Sequence, residues 1–186
     1  MYTENIYMKI AQVGEPILRS MAKPVTDSEI NNAALQTFID DLMQTMQVAN
    51  GVGIAAPQVF DERAVMIIAS RPSHRYPDAP NMAPLVLINP KVIQSANETV
   101  KDWEGCLSVP GLRGYIRRAQ WVDIEYQTRE AERVTLRLDG FVARIFLHEY
   151  DHLIGKTWLD HVEVNTDIMA ESVWRRVIAG IPDEAE

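Results

Sequence analysis

The sequence is poor in cysteine and has no long hydrophobic run. Cys106 is the only cysteine among the 186 residues, so no disulfide can form within the chain. A transmembrane helix needs about 20 consecutive apolar residues, and here prolines and charged residues interrupt every run before that length. These two deficits exclude a disulfide-stabilised scaffold and a protein that crosses a membrane with helices.

Positive charge is also scarce. The formal net charge is -8, which argues against non-specific binding to nucleic acid or to an anionic membrane. The segment from Met1 to Glu15 lacks the cationic start and apolar stretch of a secretory signal, and Glu4 and Glu15 are unlike an acid-poor transit peptide. We therefore expect a cytoplasmic protein that binds no specific nucleic acid and no membrane.

The first half of the chain predicts one long helix. Asp27 or Ser28 can cap a helix that runs to about Ala49, and Asn50-Gly51 ends it in the usual way. An apolar residue recurs at every fourth position, which is helical spacing. The expected apolar stripe consists of Ile30, Ala34, Phe38, Leu42 and Met46.

Strands follow this helix. Short runs rich in Val, Ile, Leu and Tyr predict strands at 63–69, 84–93, 121–127 and 133–138. Three prolines in 71–83 predict a loop. Asp139-Gly140 forms a turn before a second helix that runs to about Gly155, and the tail from Asp167 is weakly helical. The expected fold class is α+β, a single domain over residues 1–186 with mostly antiparallel strands packed around the second helix.

That central helix carries His148-Glu149-Tyr150-Asp151-His152. Two histidines four residues apart project from one helix face on successive turns, so they can share a metal ion. Glu149 is rotated by about 100° around the helix and can reach a water held by that ion. The ion makes the water more acidic, and Glu149 can take its proton and return it to a leaving group. The segment predicts hydrolysis of an amide-type bond.

The residues alone leave the third protein ligand open. One class of peptidases extends the pattern to His-Glu-x-x-His-x-x-Gly-x-x-His. Gly155 fits this extension, but Trp158 occupies its last position. Glu171, 19 residues beyond His152, is a downstream candidate, and Cys106 is an upstream candidate.

Two further motifs accompany the metal pair. Cys106 lies in Glu104-Gly105-Cys106-Leu107-Ser108, and farther upstream is Gly51-Val52-Gly53-Ile54-Ala55-Ala56-Pro57-Gln58. With His148 to His152, in this order and at these separations, they resemble the three motifs of the peptide deformylase family from about Gly14 to Asp160. That family removes the formyl group from the N-terminal formylmethionine of newly made polypeptides and releases formate. The resemblance implies a bacterial-type cytoplasmic enzyme.

The resemblance also implies roles for individual residues. Cys106, His148 and His152 would hold one ferrous ion (Fe2+), which zinc, nickel or cobalt can replace. Glu149 would be the general base and acid, while the Gln58 side-chain amide and the Leu107 backbone N–H would stabilise the oxyanion. Asp151 would form a structural ion pair.

Substrate-binding residues follow from the same resemblance. Gly53 and the strand edge at Glu104 and Gly105 would pair with the peptide as an added strand. Arg113 would lie near the substrate path, with a solvent-exposed arginine as the alternative. The pocket for the methionine side chain would consist of Val52, Leu107, Phe141 and Ile145.

The implied partners are formylated nascent N-termini and, transiently, the ribosome, and the expected state is a monomer. The short tail ends in the acidic segment 182–186, whereas some bacterial members dock on the ribosome through a longer basic helix. Two alternatives remain beside the deformylase. One is a zinc metallopeptidase that uses Glu171 as a ligand. The other is a metal-stabilised module that captures peptides without turning them over.

Overall fold

The computed structural model describes residues 8–73 and 76–181, which form two antiparallel sheets and four α-helices. One sheet has the order β1-β2-β3-β6-β7 and the other has the order β4-β5-β8, as defined by the ranges below. The strands are β1 (Gly53–Ala55), β2 (Val65–Ser70), β3 (Met82–Ser95), β4 (Thr99–Cys106), β5 (Val109–Ala119), β6 (Trp121–Gln127), β7 (Arg133–Asp139) and β8 (Ile168–Ala170). The helices are α1 (Asp27–Ile30), α2 (Ala33–Val48), α3 (Gly140–Leu153) and α4 (Glu171–Val177). The expected α+β class is confirmed.

The five-stranded sheet has a helix on each face. Val65 and Ile67 of β2 belong to the apolar cluster that includes α2. Met66 and Ile68, which point the other way because side chains alternate along a strand, belong to the cluster that includes α3. Helix α3 also contacts β5 of the smaller sheet. This helix, which carries the histidine pair, therefore contacts both sheets.

The expected single helix from Asp27 or Ser28 was wrong, because the helix is interrupted at Asn31 and Asn32 and forms two separate helices, α1 and α2. Thr26 caps α1 and forms a capping box with Glu29. Asn32 then caps α2 by accepting a hydrogen bond from the Ala34 N–H at 2.9 Å. Short polar side chains that bond to nearby backbone compete with helical hydrogen bonds, which explains the break at Asn31 and Asn32.

The expected apolar stripe was also partly wrong. The buried residues of α2 include Leu35, Ile39, Leu42 and Met46, whereas Ala34 is exposed and Phe38 is half-buried. The buried stripe is shifted by one residue in the first two turns, where Leu35 and Ile39 are buried in place of Ala34 and Phe38. Leu35 buries more apolar area than Ala34 could.

Helix α2 ends just before Asn50-Gly51, as the sequence predicted. Asn50 takes a left-handed backbone conformation with φ 53. The N–H groups of Asn50 and Gly51 donate to the carbonyls of Gln47 and Met46 at 3.1 and 2.9 Å. This is a Schellman motif, and it turns the chain directly into β1.

The strands were predicted unevenly. The bounds of β6 and β7 match the prediction within one residue, and β2 and β3 match within two. Residues 71–73 and 76–81 form no helix or strand, as expected for the proline-containing loop. Strands β1, β4, β5 and β8 were not predicted from their residues. Within the described part of the chain, no helix is long and apolar enough to cross a membrane.

Candidate metal centre

Three side chains converge where the end of β4 meets α3. The ligand atoms of Cys106, His148 and His152 all lie within 4.8 Å of one another, and Cys106 Sγ is 3.3 Å from His152 Nε2. Among residues 8–73 and 76–181, this is the one group of three or more His, Cys, Asp or Glu side chains that fits a metal ion. A thiolate and two imidazoles suit a tetrahedral catalytic ion with one open position.

Local backbone geometry places Cys106. The register of the β4–β5 hairpin shifts between Gly105 and Cys106, and Cys106 then faces Val109 across a tight turn. The Ser108 N–H donates to Cys106 Sγ at 3.4 Å. A donor aimed at sulfur stabilises a thiolate, which is the form that binds metal.

Glu104 orients the first histidine. Its buried carboxylate lies 2.9 Å from His148 Nδ1 and 2.9 Å from Arg118 Nε. Burial by itself would raise the pKa of Glu104, but Arg118 and the hydrogen bond with His148 outweigh it and hold the pKa well below its usual range. An ionised Glu104 accepts a hydrogen bond from the Nδ1–H of His148. The Nε2 atom of His148 then carries no proton and is free to bind a metal.

This contact was not predicted from the sequence, where Glu104 was expected at the substrate. The residue does line the cavity described below, but its carboxylate also accepts from Arg144 Nη1 at 2.8 Å. The sequence signal was an acidic residue two positions before the candidate cysteine ligand. Its partners Arg118, Arg144 and His148 are distant in sequence, so only the folded arrangement of the hairpin and α3 reveals them.

Glu149 lies beside the three candidate ligands and is buried. Its Oε2 atom has no hydrogen-bond partner among the described residues. Burial raises the pKa of Glu149 to about 7, a value suited to proton transfer near neutral pH. A Cβ atom on Gly53 would lie 2.4 Å from Glu149 Oε1, so only glycine leaves room for this carboxylate.

Gln58 presents its amide nitrogen to the same site. Its Oε1 accepts from the Ala55 N–H at 2.8 Å, which fixes the orientation of the amide. Its Nε2 then lies 3.1 Å from Ser108 Oγ and 3.6 Å from Cys106 Sγ. A buried donor fixed in this way can stabilise negative charge that develops on a reacting carbonyl oxygen.

A cavity of about 250 Å³ opens beside these groups. The predicted methionine-pocket residues all line it, and so do Gly53, Gly105 and Arg113. Tyr76, from the loop between β2 and β3, forms another part of the wall, with its ring 4.9 Å from that of Phe141. No motif or periodicity in the sequence pointed to Tyr76. The lining residues expected for the methionine side chain are Val52, Leu107, Phe141 and Ile145.

Arg113 and Glu171 form an ion pair at one side of this cavity. Arg113 is 1% exposed, so the alternative of a solvent-exposed arginine was wrong. Its Nε and Nη2 donate to the two carboxylate oxygens of Glu171 at 2.8 and 2.9 Å. Glu171 is not part of the Cys-His-His group, which argues against it as the third metal ligand.

Two other expectations concern residues around the helix. The structural ion pair expected for Asp151 is confirmed, since Arg118 Nη1 donates to its carboxylate at 2.6 Å. Trp158 is fully buried in an apolar cluster. A Cβ atom on Gly114 would lie 2.4 Å from the Trp158 ring, so this tryptophan fills space against β5.

The chain is similar in sequence to proteins of a known family. The family model described as polypeptide deformylase matches residues 7–167. Peptide deformylase 2 of Nostoc sp. is 46% identical over 92% of this chain and 94% of that protein. Peptide deformylase 2 of Shewanella oneidensis is 44% identical over 87% of this chain and 88% of that protein.

Solved structures are also similar. A class I type b peptide deformylase from Acinetobacter baumannii with bound Met-Ala-Ser has a TM-score of 0.83 and 44% identity, covering 84% of this chain and 98% of that one. A peptide deformylase from Synechococcus elongatus in complex with actinonin has a TM-score of 0.77 and 32% identity, covering 90% of this chain and 85% of that one. The chain belongs to the polypeptide deformylase family, the hydrolases that remove the N-formyl group from nascent polypeptides.

Proposed function

We propose that Cys106, His148 and His152 hold one ferrous ion, and that Glu149, Gln58 and Leu107 carry out deformylation beside it. The observation that carries this proposal is the approach of the three ligand atoms to within 4.8 Å of one another, next to a buried carboxylate without a partner. A divalent ion bound there would make a water molecule acidic and polarise the formyl oxygen. Zinc, nickel or cobalt would serve in place of iron.

Glu149 moves the proton in this scheme. It accepts a proton from the attacking water, whose oxygen forms a bond to the formyl carbon. The Gln58 amide and the Leu107 backbone N–H donate to the oxyanion that results. The carbon–nitrogen bond then breaks, Glu149 gives the proton to the leaving amine, and formic acid departs and releases its remaining acidic proton to solvent as formate. Gly53 leaves the space that this carboxylate needs.

The peptide lies between two sheet edges. Strands β1 and β4 are edge strands of their sheets, and Gly53, Glu104 and Gly105 on these strands line the cavity. An extended peptide can add to such edges through main-chain hydrogen bonds with little demand on its sequence. The methionine side chain then occupies the pocket formed by Val52, Leu107, Phe141 and Ile145. The Met-Ala-Ser bound to the Acinetobacter baumannii relative supports a peptide that begins with methionine.

We place residues 1–186 in a single catalytic domain of a cytoplasmic monomer that meets nascent chains through a transient contact with the ribosome. The match to the Nostoc protein over 92% of this chain supports a single domain. The acidic segment 182–186, which bears on ribosome docking, lies outside the described residues.

The direct test supplies formyl-Met-Ala-Ser to the protein purified without chelators and without oxygen. Formate and the free peptide are measured together, with unformylated Met-Ala-Ser as the control substrate. We expect one formate for each Met-Ala-Ser formed. Cleavage between residues without formate would support the metallopeptidase, and binding without any product would support the capture module. Loss of activity on aeration would support iron, because a thiolate-ligated ferrous site is prone to oxidation.

A further inference from the structure

The cavity has one charged side chain that is substantially exposed. Glu171 has a side-chain exposure of 28%, whereas its partner Arg113 is 1% exposed. Arg113 is held from three sides, by the Glu171 carboxylate, by the Tyr76 hydroxyl that accepts from Nη1 at 2.7 Å, and by the Trp174 ring at 4.0 Å. The cation of this ion pair is therefore covered, and its anion faces the cavity.

The other charges on the cavity wall do not reach solvent in the same way. Glu104 and Arg144 are buried and bonded to each other at 2.8 Å. Glu149 is buried beside the candidate metal ligands. Among the charged side chains that line the cavity, Glu171 is thus the one whose charge can interact with the side chains of a bound peptide.

The ion pair lies beside the proposed path of the peptide. Arg113 on β5 faces Gly105 on β4 in the hairpin register. A Cβ atom on Gly105 would lie 3.0 Å from the guanidinium carbon of Arg113, so the two are in direct contact. Gly105 is on the edge that is proposed to pair with the peptide, which brings the residues that follow the methionine close to the Arg113–Glu171 pair.

We infer that Glu171 is a specificity-determining residue that favours basic over acidic side chains directly after the formylmethionine. This inference depends on the deformylase function proposed above. The effect is electrostatic and acts at a partly exposed site, so its expected size is modest, about fivefold in kcat/KM. Charge on the peptide should matter less as salt increases, because salt screens exposed charges.

The test compares formyl-Met-Lys-Ala with formyl-Met-Glu-Ala, and formyl-Met-Ala-Ala serves as the neutral reference. For the wild-type protein we expect kcat/KM to favour the lysine peptide by about fivefold at low salt. In Glu171→Gln the preference should vanish or reverse, because the positive charge of Arg113 is then uncompensated. Glu171→Asp keeps the charge and should keep the direction of the preference.

Glu163→Gln is the matched control. Glu163 is also a carboxylate paired with an arginine, Arg117 at 2.8 Å, but it does not line the cavity. This variant changes the net charge by the same amount, so it measures the long-range effect of an acidic protein on a basic peptide. We expect its preference to equal that of the wild type.

Three results would overturn the inference: no preference in the wild type, an unchanged preference in Glu171→Gln, or an equal change in Glu163→Gln. If Glu171→Gln does not fold, Arg113→Gln tests the inference in its place. This variant leaves the Glu171 charge uncompensated and should increase the preference for the lysine peptide. An unchanged ratio in Arg113→Gln would then refute the inference. Failure of the proposed function is distinct, because no formate would then come from formyl-Met-Ala-Ala.

Discussion

Nδ1 of His148 lies 2.9 Å from a carboxylate oxygen of Glu104, and both side chains are buried. The same carboxylate accepts a hydrogen bond from the Arg118 guanidinium, whose Nη1 donates to Asp151 on α3 at 2.6 Å. Glu104 on β4 and Arg118 on β5 therefore tie the hairpin that carries Cys106 to the helix that carries the histidines. Three candidate ligands from two distant segments are held in one place by this contact.

Glu104→Gln should weaken metal binding. The glutamine amide carries no negative charge, so it would no longer favour the His148 tautomer with the proton on Nδ1. The imidazole should then be less well oriented and less basic at Nε2. Loss of such a supporting contact lowers metal affinity by about 10- to 100-fold. Competition with a chromogenic chelator measures the affinity, and Glu163→Gln is the control. Wild-type affinity in Glu104→Gln would show that His148 needs no support from Glu104.

Cys106→Ala and Glu171→Ala should separate the two candidates for the third ligand. We expect Cys106→Ala to lose its metal, because two imidazoles alone leave the ion under-coordinated. Glu171→Ala should keep the metal, since its carboxylate is bonded to Arg113. Metal per chain is measured on freshly purified protein. The reverse pattern would restore the metallopeptidase.

Gln58→Leu should keep the metal but lower kcat by about 10²-fold or more, because one oxyanion donor is lost. Gln127→Leu is a matched control, since Gln127 is also buried and bonded, to Asn89 and Asp27, but does not line the cavity. Turnover of formyl-Met-Ala-Ser and metal content are measured for both variants. If Gln58→Leu turns over like the wild type, Gln58 has no role in the reaction.

Gly53→Ala should lower kcat strongly while the metal remains bound. The new methyl group would meet Glu149 Oε1 at 2.4 Å, so the carboxylate would have to move from the position proposed for proton transfer. Displacing a general base costs about 10²-fold or more. Gly51→Ala is the control, because its methyl group would lie 3.2 Å from the Leu107 side chain, and we expect a smaller loss. Equal losses in both variants would mean that Gly53 has no special relation to Glu149.

The sequence predicted those parts of the fold that depend on local patterns. Strand β6 alternates half-buried and buried residues regularly enough to be found with its bounds, and α3 was found from its helical spacing. Strands β4 and β5 were missed because neither alternates regularly between exposed and buried residues, and several charged residues and glycines interrupt their apolar positions. Pairing between them supports this hairpin, including the Trp103 and Tyr115 rings at 5.1 Å, and cross-strand pairing is invisible in a local pattern.

The residues of the candidate site also differ in how far local patterns in the sequence could predict them. His148, Glu149 and His152 lie on one helix, so their spacing alone suggested a shared metal. Cys106 and Gln58 needed the family resemblance, because Cys106 lies 42 positions before His148 and no spacing rule joins them. Glu104, Tyr76 and the Arg113–Glu171 pair depend on contacts between distant segments. Neither periodicity nor motif could place these contacts.

X-ray absorption spectroscopy of the metal-loaded protein tests the central claim most directly, namely that Cys106 completes the ligand set of the α3 histidines. With zinc bound, we expect one sulfur at about 2.3 Å and two imidazole nitrogens at about 2.0–2.1 Å. Cys106→Ala should lose the sulfur signal. A spectrum of the wild-type protein with only nitrogen and oxygen neighbours would contradict the account.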